Sequence, residues 1–229
     1  MAAKTSLKVS VTSETHAADE RVQTKKSGRP REFDAARAAD AALHLFWKNG
    51  YRGTVTRDLE TALGLSQSSI YNTFGSKLGL LEAAFDRYQA LMERELLRPF
   101  KQSTGGLDAI NEFFINLGRW VTKTGRRGCM QVNLMAEHGD ATKAVNRRWK
   151  ILSARLRAVF IASLARAAEK GEIPYADLEG RADMLLTQVL GVSIAARGAG
   201  KSEVARFLAA TLEQINRWRI TKDPPSRQT

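Results

Sequence analysis

The sequence holds one cysteine, five prolines and three histidines among its 229 residues. The single Cys129 rules out an internal disulfide and a multi-cysteine metal site. It also fits a reducing cytoplasm. His16, His44 and His138 lie far apart in sequence, so no metal-ligand cluster stands out. Pro30, Pro99, Pro174, Pro224 and Pro225 leave long stretches free to be helical. No apolar run approaches the ~20 residues that span a bilayer. The polar N-terminus lacks the apolar core of a secretory signal. A cytoplasmic chain with no membrane partner is therefore expected. There is no Ser-His-Asp set, acid/base pair or Gly-rich phosphate loop, so neither an enzyme nor a cofactor is expected.

What the sequence does hold favours helix. It is 43% hydrophobic, enough for a core, and rich in Ala, Leu, Arg, Glu and Lys, with few β-branched runs. The formal net charge is +12. Residues 1–77 carry 12 Lys and Arg against 8 Asp and Glu, a net of +4, and the remainder carries 24 against 16, a net of +8. The basic excess is spread along the chain. It suggests a polyanionic partner without proving one.

Residues 1–32 read as a disordered basic arm ending in KKSGRPR. Arg29 and Arg31 of that arm either enter a minor groove or add salt-dependent affinity from a solvated tail. From Asp34, a helix cap, Ala38, Ala42, Leu45 and Phe46 make an apolar stripe of helical period. Asn49-Gly50 stops that helix. Thr56 is a cap candidate for a second short helix ending at Gly64. Ser66 caps a third of about two turns through Phe74, and Gly75 breaks it. Ser76 then caps a long fourth helix. Further helices are expected near 107–124, 128–138, 141–170, 177–197 and 202–219, about nine in all, with a flexible tail over 221–229.

Two short helices joined through Gly64, after a longer amphipathic one, have the pattern of a helix-turn-helix. Leu59, Leu63, Leu65, Ile70 and Phe74 supply the apolar contacts between them. The exposed positions of the second are then Gln67, Ser68, Asn72 and Thr73. No carboxylate among them repels phosphate. Gln and Asn pair bidentately with adenine, and Ser and Thr are permissive.

GYRGTVTRDLETALGLSQSSIYNTFGSK, residues 50–77, resembles the DNA-binding domain of the TetR family of bacterial transcriptional repressors. The resemblance runs from residue 33 to about 88. It includes the FWKNGY ending of the first helix, the Thr opening the second, the Ile-Tyr-x-x-Phe core and the following Ser-Lys. It implies that Thr56, Tyr71 and Lys77 hold phosphates beside the recognition helix. Two positions depart from the family pattern. Glu60 stands where a small residue is common, and Thr73 where His is common.

The resemblance also implies an all-α fold with two parts. A helix-turn-helix domain over 33–77 precedes a larger helical domain over 78–220 that binds an effector and dimerises. The last two helices would pair with a second subunit. Leu186, Val189, Leu190, Phe207, Leu208, Leu212 and Ile215 are the apolar candidates, and packing within the monomer is the plainer alternative. Sensor-pocket candidates are Phe113, Trp120, Met130, Asn133, His138, Trp149 and Gln188, with Phe85, Tyr88, Phe114 and Met135 behind them. Each is otherwise ordinary core.

RRGCMQVNLMAEHGD, residues 126–140, is similar to a TetR subgroup associated with electrophile, metal and small-acid stress. A helix start beside Arg126 and Arg127 would lower the Cys129 thiol pKa. Cys129 is thus a sensor, or else a small buried hydrophobe. Arg147, Arg148, Lys150, Arg155 and Arg157 are a solvated helix face or a lure for an anionic effector. The expected protein is a homodimeric repressor on a palindromic double-stranded operator, released by a small-molecule or electrophile effector. Its rivals are a nucleoid-like nonspecific DNA binder and a helical enzyme or carrier.

Overall fold

A computed structural model describes residues 34–123, 128–137, 140–198 and 200–220. The described residues contain helices and turns and no strand. The helices are α1 (Ala35–Gly53), α2 (Thr56–Leu63), α3 (Gln67–Phe74), α4 (Lys77–Met92), α5 (Arg98–Gln102), α6 (Leu107–Lys123), α7 (Met130–Met135), α8 (Asp140–Glu169), α9 (Leu178–Gly198) and α10 (Lys201–Asn216). A π-helical turn, Glu93–Leu97, joins α4 to α5 without a break in helical backbone. Counting that run as one, nine helices stand among the described residues, and the fold is all-α as expected.

Local chemistry sets the helix ends. Asp34 accepts the N–H of Ala36 at 3.0 Å and of Arg37 at 3.2 Å, so α1 starts there. Ala38, Ala42 and Phe46 of the expected stripe are buried, and Leu45 is half-buried. Gly50 leaves the helix with φ 77° and ψ 175°, and the turn after it is separate. Thr56 is not the cap of α2. Val55 is, and Asp58 reaches back to accept the Val55 N–H at 3.4 Å. Ser66 and Ser76 cap α3 and α4 as expected.

Pro99 does not end the helical run. It sits in the first turn of α5, directly after the π turn, where a missing N–H costs little and the wider winding leaves room for the ring. The segment expected to be helical over 128–138 shortens to α7. Gly128 has φ 66° and Cys129 is extended, so helix begins only at Met130.

The described residues from Asp34 onward belong to one packed unit. An aromatic knot marks its centre, with the Phe113 ring 5.0 Å from Phe100 and 5.3 Å from Phe160. Two dimerisation candidates, Val189 and Ile215, are buried in this same core, so they are not free to meet a second subunit here. Leu186, Leu190, Leu208 and Leu212 are half-buried against it. Phe207 is 38% exposed and Ile194 60%.

Candidate nucleic-acid interface and effector cavity

Leu59 of α2 and Ile70 of α3 are fully buried and hold the two short helices together. Leu63, Leu65 and Phe74 pack half-buried around them. With Ile70 inward, Gln67, Ser68, Asn72 and Thr73 are all exposed. Gly64 turns the chain with φ 66°, the left-handed geometry that favours glycine.

The two departures from the family pattern have distinct consequences. Glu60 accepts the backbone N–H of Gln67 at 2.8 Å. It therefore fastens α2 to the first turn of α3, where free N–H groups attract an anion. The Thr73 hydroxyl donates to the Ser69 carbonyl at 3.0 Å, which turns it back along its own helix.

The Thr56 and Tyr71 hydroxyls meet at 3.5 Å. Lys77 is held differently. Its ammonium sits 4.4 Å above the Tyr51 ring, a cation–π contact. Burial pulls its pKa below the ordinary lysine value, and the Glu137 carboxylate works the other way. Arg29, Arg31, His138, Arg126 and Arg127 lie outside the described residues.

The Trp47 indole of α1 donates to the Gly128 carbonyl at 3.0 Å. Trp47 also meets Tyr88 of α4 at 5.1 Å and Trp120 of α6 at 5.9 Å between ring centroids. Glu137, just past α7, accepts the N–H groups of Tyr51 and Arg52. Sequence reasoning missed both links. Neither residue is unusual by type, and their meeting depends on packing.

Trp120 leads to a closed cavity of about 20 Å³, room for roughly one water. Of the expected pocket residues, Phe113, Trp120, Cys129 and Trp149 line it. Met130, Asn133 and Gln188 do not. Met130 is buried, and Gln188 instead accepts the Thr211 hydroxyl at 3.1 Å, tying α9 to α10. Leu152 and Leu156 join Trp149 on the wall, one helical face at i, i+3 and i+7. That spacing was readable, but it is equally the mark of plain core. Met92 at the end of α4 and Leu96 and Leu97 of the π turn reach the same wall.

Cys129 is 7% exposed, and burial pushes its thiol up, the reverse of the expected lowering. Tyr88 donates its O–H to the thiol at 3.1 Å and accepts the Met130 N–H at 3.2 Å. The Tyr88 bond opposes the upward shift without overcoming it. Gln131 is fully buried, and its amide has no hydrogen-bond partner among the described residues.

Part of the basic set is already engaged. Arg148 pairs with Asp86 at 2.6 Å, and Arg157 with Asp183 at 2.6 Å. Neither is a free lure for an anion. Arg147, Lys150 and Arg155 remain exposed.

The family model described as bacterial regulatory proteins, tetR family, matches residues 39–84. The HTH-type transcriptional repressor ComR of Escherichia coli (strain K12) is 31% identical over 196 residues, which is 82% of this chain and 91% of ComR. The chain belongs to the TetR family. It is a transcriptional regulator with an N-terminal DNA-binding helix-turn-helix. The regulator YezE of Bacillus subtilis (strain 168) is 28% identical, over 64% of this chain and 76% of its own. Among solved structures, a cysteine-substituted CifR on 26-bp double-strand operator DNA superposes with a TM-score of 0.71. It is 24% identical and covers 84% of this chain and 100% of its own, a likeness of fold. For this TetR-family chain, the match over 39–84 contains α2, α3 and the start of α4, where the exposed polar face lies.

Proposed function

We propose that the chain is a repressor that binds a palindromic operator as a homodimer and lets go when a small molecule enters its body. It acts in the cytoplasm, beside its DNA. Residues 33–77 form the reading head and 78–220 the sensing and pairing body. The observation that carries this is the exposed, carboxylate-free face of α3. Gln67, Ser68, Asn72 and Thr73 on that face read base edges, while Thr56, Tyr71 and Lys77 hold phosphates. Arg29 and Arg31 extend the contact along the backbone. Two relatives fit this reading: ComR is named a repressor, and CifR is bound to operator DNA.

One short α3 spans few bases, so a second copy is needed. Leu186, Leu190, Phe207, Leu208 and Leu212 leave apolar edges on α9 and α10 for it. Two-fold pairing places half-sites one helical turn, or a multiple, apart.

The effector acts through its differential affinity for two states of the protein. Trp120 on the cavity wall touches Trp47 of α1, a direct path from cavity to head. Cys129 serves as a neutral wall group in this reading.

Footprinting beside the protein's own gene tests the proposal. A protected palindrome should persist under excess bulk DNA and fade on effector addition. Protection that bulk DNA erases instead favours the nucleoid-like reading, which the charge of +12 also supports.

A further inference from the structure

We propose that the cavity takes an uncharged, ring-bearing molecule in preference to an anion or a cation of the same size. The inference rests on the reading that the body senses a small molecule, and it names the class.

α4, the π turn, α6, α7, α8 and α9 meet at this cavity, and none of its lining residues is charged. Aliphatic and aromatic side chains form almost all of the wall. An ion entering it would shed its water and meet no partner, so its desolvation would go uncompensated. Trp120, Trp149 and Phe113 offer ring faces and edges, which favour an aromatic guest. Ser193 and Cys129 are the polar points, suited to one hydroxyl or carbonyl. Cys129 is buried in this wall, and burial keeps its proton on against the pull of the Tyr88 hydrogen bond, so it presents no anion to a cation. Arg148 and Arg157 point their charge at Asp86 and Asp183.

At about 20 Å³ the cavity is too small for a ring unless a wall gives way. The π turn is that wall. Leu96 and Leu97 sit in it and face the cavity, and Pro99 just beyond lacks the N–H that would tighten the helix. Such turns recur at functional sites. An entering ring would press Leu96 and Leu97 outward and alter the winding between α4 and α5. Because α4 begins at Lys77, any change in winding reaches the reading head.

Benzyl alcohol, benzoate and benzylammonium test this, since they share a ring and differ in charge. Binding to the full-length protein is read by calorimetry and by Trp120 and Trp149 fluorescence. Operator release is read separately. Benzyl alcohol should bind at least ~100-fold more tightly than either ion. Leu156→Phe, checked for folding by its melting temperature, should weaken benzyl alcohol binding by filling the cavity. Equal or tighter binding of either charged probe overturns the inference. Failure of all three to bind overturns it too. If benzyl alcohol binds as expected yet the operator complex persists, the cavity assignment stands and the release mechanism fails. If some other molecule releases the operator while none of the probes binds, release stands and this inference falls.

Discussion

The Glu137 carboxylate accepts the backbone N–H of Tyr51 at 3.0 Å, across 86 residues of sequence. It also accepts the Arg52 N–H at 2.9 Å. Gly50 makes this possible, because its φ of 77° and ψ of 175° set the two N–H groups side by side. A Cβ at Gly50 would run into a Glu137 carboxylate oxygen. The end of α1 is thereby fastened to the segment that carries Cys129.

Glu137→Ala should cost about 1–3 kcal/mol in urea denaturation, because two N–H groups lose a charged acceptor. Gly50→Ala should cost a similar amount, about 1–3 kcal/mol, from backbone strain and from displacing the carboxylate. The double variant should cost less than the two single losses together, since both disturb one contact. Strict additivity would show that the contact contributes nothing.

Glu60 is a second point where acceptor and charge can be separated. Glu60→Ala removes the acceptor for Gln67 and should loosen α3 by about 1 kcal/mol, with weaker operator binding. Glu60→Gln keeps an acceptor and removes a negative charge beside α3. It should bind the operator at least as well as the unchanged protein. If Gln behaves like Ala in operator titrations, the charge matters and the hydrogen-bond account is wrong.

Lys77 and Tyr71 should differ in salt dependence. If Lys77 holds a phosphate as proposed, Lys77→Gln should flatten the plot of log affinity against log salt by about 0.9. Tyr71→Phe removes a neutral hydroxyl, so it should lower affinity ~2–10-fold with the slope unchanged. Lys77 also has a pKa pulled below the ordinary lysine value by burial. Its charge is lost earlier as pH rises, and a bound phosphate would restore it. Operator binding should therefore take up protons at alkaline pH, and calorimetry in buffers of different ionisation enthalpy should see that uptake vanish in Lys77→Gln.

The reading head was legible in the sequence because its signals are local. Gly64, Ser66, Gly75 and Ser76 each announce a turn or cap within a few residues, and the structure follows them. Thr56 misled as a cap because Asp58, two residues on, does that work for Val55. The body was less legible. Phe113, Trp120 and Trp149 line the cavity and Met130 and Gln188 do not, because helical period gives a face and not which neighbour fills it. The Cys129 pKa was misjudged for a related reason. Helix start and nearby arginines are visible in sequence, whereas the desolvation that dominates comes from packing by Tyr88 and its neighbours.

Cys129 supplies a last expectation, about reactivity. Burial holds the thiol proton on, so the thiolate is scarce at neutral pH. Iodoacetamide should alkylate the folded protein far more slowly than the urea-unfolded chain. The unfolded thiol releases its proton near the ordinary cysteine value, and the folded one only at higher pH. Stability from this group is therefore full below that ordinary value and falls as pH climbs from it toward the folded one. Tyr88→Phe removes the one hydrogen bond from a side chain that favours the thiolate, so the thiol pKa should rise further and alkylation should slow again, provided the variant stays folded. Rapid alkylation of the folded protein at neutral pH would restore Cys129 as a reactive sensor.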